Sequence, residues 1–296
     1  MNTSDLVRDS AHRSAPSLDY LRLAIPEDDL HAARRALYHS SGPGYVVFPN
    51  FLAPAHVAHM RSIWSSVDPS VSHARFQSKA QFQVGCPNFA DIHADGTRIF
   101  HNFLWNPPLD EVTREASIFV HMLRNRLSGR NAFDECLPGA GKAVNYRVVI
   151  SRNPNTAVAL HRDYFDHARR MEKNAYDPSR LQATLFLSEK GRDYDGTGFR
   201  FTRNDGAVVV FGTDVPMVPG DLVIWKYTNW HAVEPVVSRP DQLGFMRIIY
   251  PPEVIHPAAR AARQPTLADV SAFGRAAVRR VREKLVRRGR SLLAGS

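Results

Sequence analysis

Pro219-Gly220-Asp221-Leu222-Val223-Ile224-Trp225 leads through a polar link, Lys226-Tyr227-Thr228-Asn229, into Trp230-His231-Ala232-Val233-Glu234-Pro235-Val236. β-branched and aromatic residues crowd two short runs, 221–227 and 231–237, and Pro, Gly and Asn mark their ends. Each run reads as a strand. Working outward, further runs of the same kind occupy 144–150, 182–187, 198–201, 207–211 and 243–250, separated by Gly, Pro, Asn and Asp turns. Short strands at this spacing, with no helical pattern between them, imply an antiparallel sandwich or barrel.

The flanks are helical. Leu30, Ala33 and Leu37 recur at helical spacing after Pro26, with Tyr38 beside them, and Glu27, Asp28 and Asp29 suit a first turn. A short strand, Tyr45-Val46-Val47-Phe48, follows. A second helix starts near Pro54 and repeats Val57, Met60, Ile63, Trp64 and Val67. A third, over 111–128, carries Val112, Ala116, Phe119, Val120, Leu123 and Leu127. A terminal helix is expected after Thr266, with Asp269 at the third position and Val270, Phe273, Ala277, Val281 and Leu285 on one face. Residues 68–110 are rich in Ser, Gln, Asn, His, Pro and Gly. They read as a long irregular segment, part of it covering a pocket. The organisation expected is a flexible N-terminus over 1–17 and a single domain over 18–296, with its β core at about 143–250.

Composition bounds the function. The chain has 296 residues, 44% hydrophobic and 23% charged, enough for one sizeable core. It has no long apolar run and no apolar region near Met1, so neither a membrane span nor a secretory signal is expected. Cys86 and Cys136 form neither a disulfide framework nor a metal-binding doublet, and a cytoplasmic protein follows. Much of the formal charge of +9 comes from Arg and Lys between 275 and 290. Aromatic residues are not interleaved with them, so that run reads as a solvated basic face, and nucleic acid is not an expected partner. The same helix offers a surface for a homodimer.

The chemistry gathers around His161-Arg162-Asp163. In an extended segment His161 and Asp163 point the same way and reach one ion. His231, at the start of a later strand, supplies a second imidazole. Two His and one carboxylate suit Fe(II) with coordination positions left open. A His-x-Asp pair is weak alone in a chain with 13 histidines, and Asp166 and His167 lie close by but break the same-face spacing. Order and flanks add weight: His161 follows an apolar strand, and His231 follows Gly220-Asp221 and another. Arg247 stands among Leu243, Phe245, Ile248, Ile249 and Tyr250, where a charge needs a partner. It could pair with a protein acid such as Glu253 or clamp a carboxylate of a dicarboxylic co-substrate.

These residues resemble the non-haem Fe(II)/2-oxoglutarate-dependent dioxygenases, most nearly the phytanoyl-CoA hydroxylase branch, whose members often carry a phrase like Gly44-Tyr45-Val46-Val47-Phe48-Pro49-Asn50-Phe51-Leu52. The resemblance spans roughly 42–250 and is most specific at 161–163 and 219–247. It implies a mainly β fold with flanking helices, a double-stranded β-helix (jelly roll, cupin-like). His161, Asp163 and His231 would hold Fe(II), and Arg247 would bind the far carboxylate of 2-oxoglutarate. With O2, such a site oxidises an unactivated C–H, most often to an alcohol, and yields succinate. Asp163, where halogenating relatives have a small residue, points to hydroxylation.

One departure stands out. A small hydroxyl residue often follows the Arg by two positions, and here that position is Ile249, so the contact is expected from Thr184, Tyr146 or Tyr227. Trp225, Trp230 and Phe165 are candidate pocket walls, and the charged loop that runs on through Arg180 is a candidate lid. Polar residues before the sheet and Arg162, Arg169, Arg170 and Lys173 after the ligands suggest a small hydrophilic metabolite, as in secondary metabolism, with an anionic group. The competing readings are a cupin-type metalloenzyme without 2-oxoglutarate and a non-catalytic jelly-roll binding module. In the latter, Arg247 pairs with a protein carboxylate and the metal ligands do not converge.

Overall fold

The computed structural model describes residues 27–72, 74–75, 87–94, 96–104, 106–133, 145–154, 157–162 and 181–251, all within one compact unit. Its helices are α1 (Glu27–Tyr38), α2 (Pro54–Ser66), the single turn α3 (Pro69–Ser72) and α4 (Glu111–Leu127). Its strands are β1 (Tyr45–Phe48), β2 (Ala74–Arg75), β3 (Phe89–Ile92), β4 (Arg98–Phe103), β5 (Asn145–Ser151) and β6 (Val158–His161). They continue with β7 (Gln182–Phe186), β8 (Tyr194–Thr202), β9 (Val208–Val210), β10 (Leu222–Trp225), β11 (His231–Ser238) and β12 (Phe245–Tyr250).

The strands form an 8-stranded sheet, β1-β10-β7-β12-β5-β4-β3-β2, and a 4-stranded sheet, β6-β11-β8-β9. From β5 onward the chain winds between them. β5, β7, β10 and β12 fall in the large sheet, and β6, β8, β9 and β11 in the small one, all in antiparallel pairs. This winding is the double-stranded β-helix.

Strand periodicity gives the large sheet two faces. Val148, Ile150, Ala183, Leu185, Leu222, Ile224, Met246 and Ile248 pack on the helices, against Leu30, Leu37, Met60, Trp64, Val112, Val120 and Leu127. Phe186, Val223, Trp225 and Phe245 point the other way and meet Phe199, Phe201, Val209 and Val233 of the small sheet. α4 starts cleanly because the Asp110 side chain accepts from Thr113 N–H at 2.9 Å, an N-cap. Among the described residues, no helix is long and apolar enough to cross a membrane.

Two expectations change. The segment 68–110 is not simply irregular: α3 stands at its start, and β2, β3 and β4 extend the large sheet, β4 pairing with β5 from Arg98↔Ile150 to Phe103↔Asn145. β4 hides its period because His101 and Asn102 are buried alongside Phe100 and Phe103, so polarity does not alternate with exposure. The run expected at 198–201 grows into Tyr194–Thr202. Gly196 and Gly198 interrupt its apolar pattern, and at Gly196 (φ +106°) a Cβ would stand 2.4 Å from the Pro235 carbonyl oxygen. The N-terminal segment 1–17, the thiols Cys86 and Cys136, the loop 163–180 and the terminal basic helix lie outside the described residues.

Candidate metal centre and carboxylate clamp

β6 and β11 are neighbours in the small sheet, and their register sets His161 directly opposite His231. Cross-strand partners share a face, so the rings meet, with centroids 4.2 Å apart and planes at 57°. His161 Nδ1 lies 2.7 Å from the Ala159 carbonyl oxygen, and His231 Nδ1 lies 2.9 Å from that of Asn229. A carbonyl only accepts, so each Nδ1 carries a proton, and in its neutral form each ring places its lone pair on Nε2. Metal-binding histidines are oriented in this manner, through a hydrogen bond from the nitrogen that does not coordinate. The Trp225 ring meets His231 edge-on at 4.5 Å and fixes one side of it.

Asp163 and Phe165 lie outside the described residues. The structure therefore brings together two of the three expected ligands. Among the described residues no group of three His, Cys, Asp or Glu side chains gathers at one point.

Arg247 points from β12 into the space between the sheets and is only 4% exposed. Burial pulls its guanidinium down to about 10, and the nearby Tyr194 hydroxyl only partly offsets that. Its carbon lies 4.3 Å from the Phe245 ring centroid, and Nη1 makes a long 3.4 Å contact to Ser151 Oγ. No described carboxylate pairs with it; Glu253, the protein acid considered from sequence, lies outside the described residues. A desolvated cation held by a ring and one hydroxyl could receive an anion.

The other candidates separate by face. Thr184 is buried on the inter-sheet side of β7, and register sets it directly opposite Ile249. Trp225 Nε1 donates to Thr184 Oγ1 at 3.3 Å, so the hydroxyl proton is still available to donate elsewhere. Tyr227 is buried in the same aromatic cluster as Trp225. Tyr146 is not on this side: with Val148 and Ile150 it faces the helices, where burial raises its hydroxyl far above the ordinary range. Trp230 is 41% exposed and lies beneath the Arg162 guanidinium at 4.5 Å, an outer rather than an inner wall.

Three residues join the site that sequence did not single out. Ser151 and Tyr194 stand beside Arg247, and the Tyr194 hydroxyl is pushed up to about 12 by burial, eased by Arg247. Asn229 orients His231 through its backbone carbonyl. Only a β5–β12 register could have revealed Ser151, and only the distal His could have drawn attention to Asn229. The donor set that is described fits a ferrous ion and a dicarboxylate: two Nε2 lone pairs from paired strands, and a buried guanidinium on a facing sheet.

No protein-family model matches the chain, and no curated protein matches it in sequence. Solved structures resemble it. A prolyl-4-hydroxylase from Pseudomonas putida is 17% identical, with 74% of this chain and 96% of that one covered and a TM-score of 0.43. A prolyl hydroxylase from Trichoplax adhaerens, in complex with a hypoxia inducible factor peptide fragment, is 12% identical over 84% and 99%, with a TM-score of 0.46. The α-ketoglutarate-dependent carbocyclase SnoK of nogalamycin biosynthesis is 14% identical over 82% and 92%, with a TM-score of 0.45.

Proposed function

We propose that the chain is an Fe(II)/2-oxoglutarate-dependent oxygenase that hydroxylates a small hydrophilic metabolite in the cytoplasm. The single observation that carries this reading is Arg247: a buried guanidinium with no described carboxylate, on the inter-sheet face that also receives His231. A binding module would pair that arginine with protein and would let the two histidines diverge. Instead they stand as cross-strand partners with both Nδ1 atoms tied to backbone.

In this reading His161 and His231 hold the ion through Nε2, and Asp163 supplies the carboxylate. Arg247 clamps the far carboxylate of 2-oxoglutarate. The Thr184 hydroxyl stands across the strand pair from Ile249 and supplies the contact that this position lacks. Trp225 buttresses both sides, touching the His231 ring with its edge and donating its indole N–H to Thr184. The aromatic cluster around them excludes water and strengthens each charged contact. When bound, the ferrous ion with 2-oxoglutarate and O2 supplies the oxidising power for a C–H bond, with succinate and carbon dioxide as co-products.

Anaerobic titration with Fe(II) and then 2-oxoglutarate tests the assignment. A weak visible charge-transfer band should grow on addition of 2-oxoglutarate, and succinate should form when candidate metabolites and O2 follow. Folded protein that binds Fe(II) yet shows no band would overturn the co-substrate assignment.

A further inference from the structure

A cavity of about 430 Å³ opens where α1 ends and where the β8–β9 and β10–β11 loops meet. Its chemistry is lopsided. Arg162, Arg203 and Lys226 line it, each half-buried, and among the described residues no Asp or Glu does. Arg203 is partly neutralised by Asp205 at 2.8 Å, outside the lining, and no described carboxylate pairs with Lys226. Cations gathered in a concavity focus a positive potential that draws an anion.

The walls are fixed by amides. Asn204 Nδ2 donates to the Leu37 and His39 carbonyls at 3.0 and 2.8 Å. Asn229 Nδ2 donates to the Thr202 carbonyl at 3.0 Å and to Asn204 Oδ1 at 2.9 Å. This clasp ties α1, the β8–β9 hairpin and the β10–β11 loop together. It also requires Gly44 (φ +78°), where a Cβ would come within 2.8 Å of both amides. Thr202 and Thr228 also line the cavity.

The cavity also adjoins the metal pair along the chain. Arg162 follows His161, Trp230 precedes His231, and the Asn229 that builds the wall orients the His231 ring. We propose that this cavity binds an oxyanion, phosphate or carboxylate, on a small molecule, and that it anchors the anionic end of the substrate. The anchoring role rests on the oxygenase reading; the anion site does not. Its volume lies within the range of small-molecule pockets, enough for more than an isolated ion.

Calorimetric titration of the full-length, metal-free chain with inorganic phosphate, and separately with malonate, tests it. At least one should bind at one site per chain, more weakly as salt rises. In the Arg247→Leu background, which removes the co-substrate clamp, Lys226→Met and Arg203→Met should each weaken binding by about tenfold or more, and Lys226→Arg should retain it. Phosphate alone would assign phosphate esters, and malonate alone carboxylates. No saturable binding in that background, or binding that ignores both Lys226 and Arg203, would overturn the site. The charge-transfer band of the unsubstituted protein separates the two proposals. A missing band with anion binding intact sinks the oxygenase reading alone; a normal band without anion binding sinks this one alone.

Discussion

The two sides of the large sheet both hold arginine away from water, and they hold it in opposite ways. In the helical layer, Arg61 of α2 grips Asp193 through both guanidinium nitrogens, at 2.7 and 2.9 Å, and donates again to the Leu187 carbonyl at 2.7 Å. Arg124 of α4 donates to the carbonyls of Tyr250 and Pro251. Between the sheets, Arg247 has a ring, one distant hydroxyl and no described carboxylate. Identical side chains therefore do different work. A cation satisfied by protein fastens elements together, whereas a cation left short of an anion costs stability, a cost that the proposed co-substrate would relieve.

The sharpest test of that contrast removes the neighbouring imidazoles. His161→Ala or His231→Ala should abolish the charge-transfer band. Loss of Fe(II) affinity, measured by competition with a chelator, should exceed the roughly 10–100-fold typical of outer-shell partners. The arginines should then diverge. Arg247→Leu should weaken 2-oxoglutarate by about 100-fold, since two charge-assisted bonds are lost, while the thermal midpoint holds or rises. Arg61→Leu should do the reverse: co-substrate affinity stays, and unfolding by urea reveals a loss of about 2–3 kcal/mol, because the buried Asp193 carboxylate keeps only Arg192 and the Glu189 N–H.

Acid should act on the helical side through Asp193. Burial alone would raise the Asp193 carboxyl, but hydrogen bonds from Arg61 and the Glu189 N–H outweigh it and hold the group below the ordinary carboxylate range. A depressed folded value means the pair stabilises fully above the unfolded carboxylate value, about 3.9, and its contribution fades as pH falls through the lower folded value. Urea midpoints measured downward from pH 6 should show that decline in the unsubstituted protein and a smaller one in Arg61→Leu. The smallest effect belongs to Thr184→Val. It should weaken 2-oxoglutarate by about tenfold, and Ile249→Ser placed beside it should recover part of the loss.

How much of this was legible in the sequence depended on whether one face of an element faced water. α1, α2 and α4 have one buried stripe each, so their apolar spacing announced them. β5 buries Val148, Val149 and Ile150 on both sides, so its sequence gives no sign of which face reaches the site, and Tyr146 was counted as a co-substrate contact although it looks toward the helices. β4 mixed buried polar residues with phenylalanines and read as loop. Arg247 was legible because charge among apolar neighbours is costly wherever it falls. Ser151 and Tyr194 carry no such cost and become visible only once register brings them to Arg247. The pairing of Thr184 with Ile249 is of the same kind: a hydroxyl absent along one strand is present across it.

The opposition of His161 and His231 also has a bearing on assembly. Side chains on a strand change sides with every residue, so a slip of one position between β6 and β11 would throw the imidazoles to opposite faces. An ion gripped by both rings therefore recognises only the native alignment of two strands that lie far apart in the chain. Ferrous iron would serve as proofreader of the small sheet, closing its edge only when the strands have met in step.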